Sequence, residues 1–187
     1  CLIAMWFTSR MDYRLWGQLA KPMLLVCFLL LLAVLIPGIG VVRGGARSWL
    51  GISSFGIQPS EFMKLGMIVF LARWLSRPGY NITSFTKGLL PPMGLAGLAF
   101  GLIMLQPDLG TGTVMLGASM LIIFAAGASL KQLGWLALGG VAGFAALIAA
   151  APYRLKRITA FLDPWSDPLG AGYQIIQSLY AIGPGGL

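Results

Sequence analysis

The 187 residues contain no histidine and few acids, with five Asp and Glu against thirteen Lys and Arg. Without imidazole, histidine-based acid–base catalysis and histidine metal sites are excluded within this chain. The two cysteines, Cys1 and Cys27, both lie in apolar runs, which reads as lipid-buried thiols and excludes a disulfide framework. Charged residues make up only 10% of the chain against 58% hydrophobic. With a mean hydropathy of +0.85, that balance excludes an ordinary soluble globular domain. The first apolar segment shows neither a basic leader nor a cleavage site, so it is not expected to be a signal peptide. There is no internal repeat, no low-complexity tract and no nucleic-acid-binding motif to accompany the net charge of +8.

What the chain does have is long apolar stretches. They cover residues 22–42, 62–75, 89–105, 109–128 and 133–151, and residues 1–7 read as the tail of another. A membrane-spanning helix needs about 20 such residues, so the expected fold is an all-α polytopic integral membrane protein. It should have about five complete transmembrane helices plus the end of another, with a large extracytoplasmic loop at the C-terminal end. The whole of 1–187 is expected to be a single membrane domain, with 1–151 the bundle and 152–187 the loop. The chain opens at Cys1 without an initiator methionine and closes on Gly183-Pro184-Gly185-Gly186-Leu187, so it is expected to be a fragment of a larger protein. The short stretch 62–75 spans only if Pro59 to Glu61 start its helix in the interface and Arg73 snorkels at the far end. Glycines around 94–101 and 134–140 look suited to close helix packing.

Alternating spans leave Arg43, Arg47, Arg154, Lys156 and Arg157 on one side. Arg10, Arg14, Lys21, Arg73, Arg77, Lys87 and Lys131 fall on the other, which the positive-inside rule assigns to the cytoplasm. Cations held outside against that bias call for an anionic ligand, either anionic lipid or a lipid-linked phosphate.

In the first outer loop Arg43 and Arg47 bracket two glycines, whose backbone can approach a ligand closely. Guanidinium groups are bidentate partners of phosphate oxygens, and Trp49 can stack on a sugar or sit at the interface. A solvated turn with an interfacial tryptophan is the plainer alternative. Gln58-Pro59-Ser60-Glu61 reads as a helix start, with proline in the first turn and Glu61 at the positive end of the dipole. Lys64, three residues on, shares a face with Glu61 and could pair with it. Ionisable groups just inside a membrane boundary are functional candidates. Asp108, in Gln106-Pro107-Asp108-Leu109-Gly110-Thr111, could cap the following helix or pair with Arg47, Lys64 or a cation of the last loop. The joint at 106–108 is tight enough to force either an antiparallel hairpin or a break within the bilayer. Arg154, Lys156 and Arg157 form an electrostatic footprint for phosphate, and Asp163-Pro164 and Asp167-Pro168 favour turns. Residues 170–179 are amphipathic, with Tyr173, Ile176 and Tyr180 on one face.

Taken in order, these strings resemble the SEDS family, the RodA/FtsW/SpoVE membrane proteins of bacterial cell-wall growth, division and sporulation. The resembling strings are Gly45-Ala46-Arg47-Ser48-Trp49, Gln58-Pro59-Ser60-Glu61 with Lys64, Gln106 through Thr111, and Pro152-Tyr153-Arg154 with Arg157. Asp163-Pro164-Trp165 and Gly172-Tyr173-Gln174 with Gln177-Ser178 complete the set, which covers essentially the whole chain. The Asp163 to Pro168 string looks closer to the division and sporulation branch. The resemblance implies a peptidoglycan glycosyltransferase of the bacterial cytoplasmic membrane. It would polymerise lipid II, an undecaprenyl-pyrophosphate-linked disaccharide-pentapeptide, beside a class B penicillin-binding protein. Substrate contacts are expected from Arg43, Arg47, Trp49, Gln58, Glu61, Lys64, Asp108, Arg154 and Arg157. The family's essential acid belongs to a later outer motif of the type Pro-Glu-x-His-x-Asp, which has no match here. No catalytic residue is therefore assigned in this chain beyond the candidates Glu61 and Asp108, and alone it is expected to be inactive. No cofactor is evident; a divalent cation could join the pyrophosphate, although no ligand cluster demands one. Membrane lipids are expected partners, and nucleic acid is not. The competing readings are a lipid II flippase and a scaffold that recruits the transpeptidase.

Overall fold

The computed structural model describes residues 2–43, 46–52, 55–149, 163–166, 168–170 and 172–183. They fall in two compact units, Cys1–Leu133 and Gly134–Leu187.

In the first unit, helix α1 (Leu2–Arg10) carries Arg10 over the Trp6 ring, 5.0 Å from its centroid. Asp12 then starts α2 (Tyr13–Leu35) by accepting a hydrogen bond from the Arg14 backbone N–H at 2.9 Å. The basic, aromatic segment preceding residue 22 is therefore mostly helix. At the other end α2 stops at Leu35, well before residue 42, because Ile36 turns extended and Pro37 cannot supply a backbone donor.

The chain beyond that point corrects the all-α expectation. Strands β1 (Gly40–Arg43), β2 (Ala46–Ile52) and β3 (Phe55–Ile57) form an antiparallel sheet in the order β1–β2–β3. Gly40 faces Leu50, Val41 faces Trp49 and Val42 faces Arg47, so Ser48 is the extra residue of a bulge. Leu50 in turn faces Ile57. Valines, isoleucines and aromatics at these positions suit a pleated strand. A polar loop was expected from about Arg43 onwards, and the C-terminal end of the preceding span was expected where β1 lies.

Helix α3 (Pro59–Leu75) follows, then a π-turn (Phe85–Leu89) that runs into α4 (Leu90–Met104), then α5 (Leu109–Ala125) and α6 (Leu130–Ala149). Among the described residues two stretches, Tyr13–Leu35 and Phe85–Met104, are long and apolar enough to cross a bilayer, and Leu109–Ala125 is a shorter apolar helix. The core between α2, α3, α4 and α5 holds Leu24, Cys27, Leu31, Met63, Met67, Ile103 and Met115. Leu25, Val26, Leu29 and Leu32 of α2 and Val114 and Leu121 of α5 face outward, an apolar exterior that suits lipid. Lipid tails are as apolar as these cores, so association rests on close van der Waals packing.

The packing glycines are not the expected ones. Within the first unit, an added Cβ at Gly94, Gly97 or Gly101 would meet nothing within 4 Å. At Gly66 it would lie 3.1 Å from Cys27 Sγ, and at Gly112 about 3.0 Å from the tip of Met104. Gly66 thus lets α3 approach α2. Gly112 lets α5 fold back on α4, so the 106–108 joint makes a helical hairpin. At the far end of α3, Arg73 does more than snorkel: its Nη1 donates to the Gly17 carbonyl of α2. Tyr80 donates to the Gly88 carbonyl at 2.7 Å, fastening the loop that leads into α4.

In the second unit a 3-10 turn, Pro164–Ser166, bears out the turn expected of Asp163-Pro164. Ser166 Oγ donates to the Asp163 carbonyl at 2.7 Å. Helix α7 (Tyr173–Ile182) buries Ile176, and Trp165 meets Tyr180 edge-on with ring centroids 6.1 Å apart.

Candidate functional site

Two helix starts and one helix end come together at the sheet end of the first unit. Helix α3 begins as expected, with Pro59 in its first turn and Gln58 at the N-cap. Gln58 makes no side-chain cap bond to its own helix. Its Nε2 instead donates to Asp108 Oδ2 at 2.7 Å, and the fully buried Ser60 Oγ donates to the same oxygen at 3.3 Å. Asp108 Oδ1 accepts from the Thr111 backbone N–H at 3.2 Å and so caps α5. One carboxylate therefore joins the starts of α3 and α5. Two residues earlier, buried Gln106 donates from Nε2 to the Leu31 carbonyl at 3.1 Å and brings in the last turns of α2.

The capping expected of Asp108 is present. Of the cations considered as its partners, Arg47 and Lys64 do not pair with it. Neutral donors serve it instead, which lets the charge sit half-buried beside apolar helices. Ser60 and Gln106 were not singled out from sequence. The signal was their place beside Gln58 and Asp108 in the same two short strings.

Glu61 and Lys64 form the expected pair at 2.8 Å, with side-chain exposures of 52% for Glu61 and 23% for Lys64. At that exposure the pair contributes about 0.3–0.5 kcal/mol. Its effect is to hold the Lys64 ammonium against the first turns of α3.

Arg47 lies exposed on β2. Its stem passes directly over Gly40, where an added Cβ would sit 2.9 Å from Arg47 Cγ and closer still to the Val34 carbonyl oxygen. Glycine at 40 thus lets the sheet close against the end of α2 and lets the Arg47 stem cross it. Trp49, on the same strand, is half-buried opposite Val41. The side chain of Arg43 and all of Arg154 and Arg157 lie outside the described residues, as does the glycine pair 44–45.

Together these residues make a polar platform that carries the exposed Arg47 guanidinium and the half-buried Lys64 ammonium, paired with Glu61. The matching family model, described as FtsW/RodA/SpoVE cell cycle protein, covers residues 1–187. The chain belongs to that family. It is 56% identical over 186 residues to stage V sporulation protein E of Bacillus subtilis (strain 168), covering 100% of the chain and 51% of that protein. It is 41% identical over 177 residues to the probable peptidoglycan glycosyltransferase FtsW of Legionella pneumophila, covering 95% of the chain and 45% of that protein. Both relatives agree with the division and sporulation resemblance. The chain thus spans about half the length of the curated relatives it matches. Among solved structures, one described as structural coordination of polymerization and crosslinking by a peptidoglycan synthase complex aligns with TM-score 0.73 and 34% identity. That alignment covers 100% of the chain and 55% of its counterpart. The rod shape determining protein RodA of Thermus thermophilus aligns with TM-score 0.63 and 32% identity, covering 80% of the chain and 46% of RodA. The architecture is accordingly the mostly helical one of a membrane-embedded family, with a small sheet at one end of its first unit.

Proposed function

We propose that the protein containing this chain is a peptidoglycan glycosyltransferase. It polymerises lipid II at the outer face of the bacterial cytoplasmic membrane, in company with a class B penicillin-binding protein. In this reading the sheet end of the bundle faces outward, and the chain supplies about five spans plus the end of another. The observation that carries the reading is the platform built by Gln58, Ser60 and Asp108 under a cationic sheet, in a chain about 40% identical to proteins named as such transferases.

Arg47 and Lys64 bind the pyrophosphate of the donor. As the glycosidic bond forms, the lipid pyrophosphate leaves and gains negative charge. Preorganised cations stabilise that charge more strongly in the transition state than in the ground state. Trp49 positions the substrate. Asp108 spends both oxygens on hydrogen bonds and Glu61 is paired, so they shape the platform, and the base that deprotonates the acceptor hydroxyl lies elsewhere in the protein. No cofactor enters this scheme.

The test is lipid II polymerisation by the intact parent protein with its transpeptidase partner, wild type beside Arg47→Lys and Arg47→Ala. Losing the bidentate contact should reduce glycan formation by roughly a hundredfold in the alanine variant. Normal glycan chains from both variants would reduce the sheet to a solvated surface. Transport of labelled lipid II across vesicle bilayers without polymerisation would replace the reading with a flippase.

A further inference from the structure

The end of the first unit remote from the sheet carries a groove that the proposed reaction does not use. It encloses about 700 Å³ between the beginning of α2 and the end of α3. Arg14, Arg73 and Arg77 stand on it, and its walls include Trp16, Ile68 and Val69. Among the described residues no carboxylate lines it, and none of the three arginines has an ion-pair partner. The acid closest in sequence, Asp12, uses its side chain to cap α2. Arg73 is fixed by its bond to the Gly17 carbonyl. The rest of its guanidinium fork stays available, since that group has five N–H donors.

Three unpaired guanidinium groups around one cavity repel each other and invite an anion. The apolar walls, one to three turns up α3 from Arg77, favour hydrocarbon over water. A ligand that satisfies both is anionic at one end and apolar at the other. This end of the bundle also carries the cation-rich loops that the positive-inside rule assigns to the cytoplasm, where anionic lipids concentrate. We propose that the groove holds the phosphate headgroup and upper acyl chains of an anionic phospholipid from the cytoplasmic leaflet. The lipid would bridge α2 and α3 at the end opposite the platform. The inference does not depend on the transferase reading, because its readout is lipid binding.

The experiment uses the intact parent protein in nanodiscs of phosphatidylglycerol or of phosphatidylcholine, with co-purifying lipid counted by native mass spectrometry. A single tightly retained phosphatidylglycerol is expected, with no retained phosphatidylcholine. Arg14→Gln and Arg77→Gln should each weaken retention roughly fivefold. Arg73 is left intact because it ties the helices together. Ile68→Trp, which fills the groove without changing charge, should also release the lipid. Equal retention of both lipids, or retention unchanged in the arginine variants, would overturn the proposal. So would loss in the arginine variants but not in Ile68→Trp, which would mean a general cationic surface. Displacement of the lipid by soluble glycerol phosphate at comparable concentration would replace the lipid with a soluble phosphate ligand.

Discussion

Replacing Asp108 tests whether one carboxylate really joins two helix starts. Its Oδ2 accepts from Gln58 at 2.7 Å and from Ser60 at 3.3 Å, while Oδ1 accepts from the Thr111 N–H at 3.2 Å. Asparagine keeps the shape but offers one acceptor and one donor, so one side of the joint must face donor to donor. Losing the cap costs about 1 kcal/mol, whereas losing a charge-assisted hydrogen bond costs about 1.5–3 kcal/mol. The substituted amide would therefore turn its oxygen to Gln58, and Asp108→Asn should cost about 1–2 kcal/mol. Asp108→Ala loses both sides and leaves the buried Ser60 hydroxyl unpartnered, for about 3–4 kcal/mol. A cycle with Gln58→Ala should show a coupling of about 1.5–3 kcal/mol. Unfolding in mixed micelles, followed through the six tryptophans, would measure every species of the cycle. A coupling below about 0.5 kcal/mol, the range of independent sites, would refute the joint. So would an alanine variant no weaker than the asparagine one.

Gly40→Ala would press a methyl group into the Val34 carbonyl oxygen, and backbone cannot yield cheaply. It should cost about 1–3 kcal/mol and shift the emission of Trp49; an unperturbed melt would mean the sheet does not close on α2. Gly66→Ala should cost a similar amount through its 3.1 Å approach to Cys27 Sγ, and Cys27→Ala in the same chain should restore most of the loss. Failure of that rescue would place the tight contact elsewhere. Tyr80 is shifted by burial, which pushes its phenol above the ordinary 10.0, while the Arg77 guanidinium partly lowers it. The neutral phenol donates to Gly88, so its contribution is complete below pH 10 and disappears as pH rises through the raised value. Phenolate absorbance and melting measured together should change in step above pH 10 and lose that link in Tyr80→Phe; titration of Tyr80 below the ordinary phenol value would refute the burial argument.

Much of this was legible because the relevant chemistry is local. Proline in the first turn marked the start of α3, three-residue spacing paired Glu61 with Lys64, and Asp108 before an apolar run announced a cap. The sheet was hidden because Val41 and Val42 extend an apolar run whose hydropathy does not distinguish a strand from a helix. Pro37-Gly38 was the sign that the helix had already ended. The Gln58–Asp108 bond joins residues fifty positions apart, and no periodicity reports such a contact. The packing glycines were misplaced for a similar reason. Clustered glycines draw attention, yet closeness is decided by the facing helix, and single residues such as Gly66 meet it.

The sheet also has mechanical consequences, because it has no slack at either end. Hydrogen bonds from Ile39 and Gly40 to the Ile36 carbonyl tie β1 to the last turn of α2. Only Gln58 separates β3 from α3. A load applied to the Arg47 strand therefore cannot be absorbed by a linker. It reaches the end of one helix and the first residue before another, and that residue is the one Asp108 holds. Any displacement of the sheet therefore bears directly on the Gln58–Asp108 bond between α3 and α5.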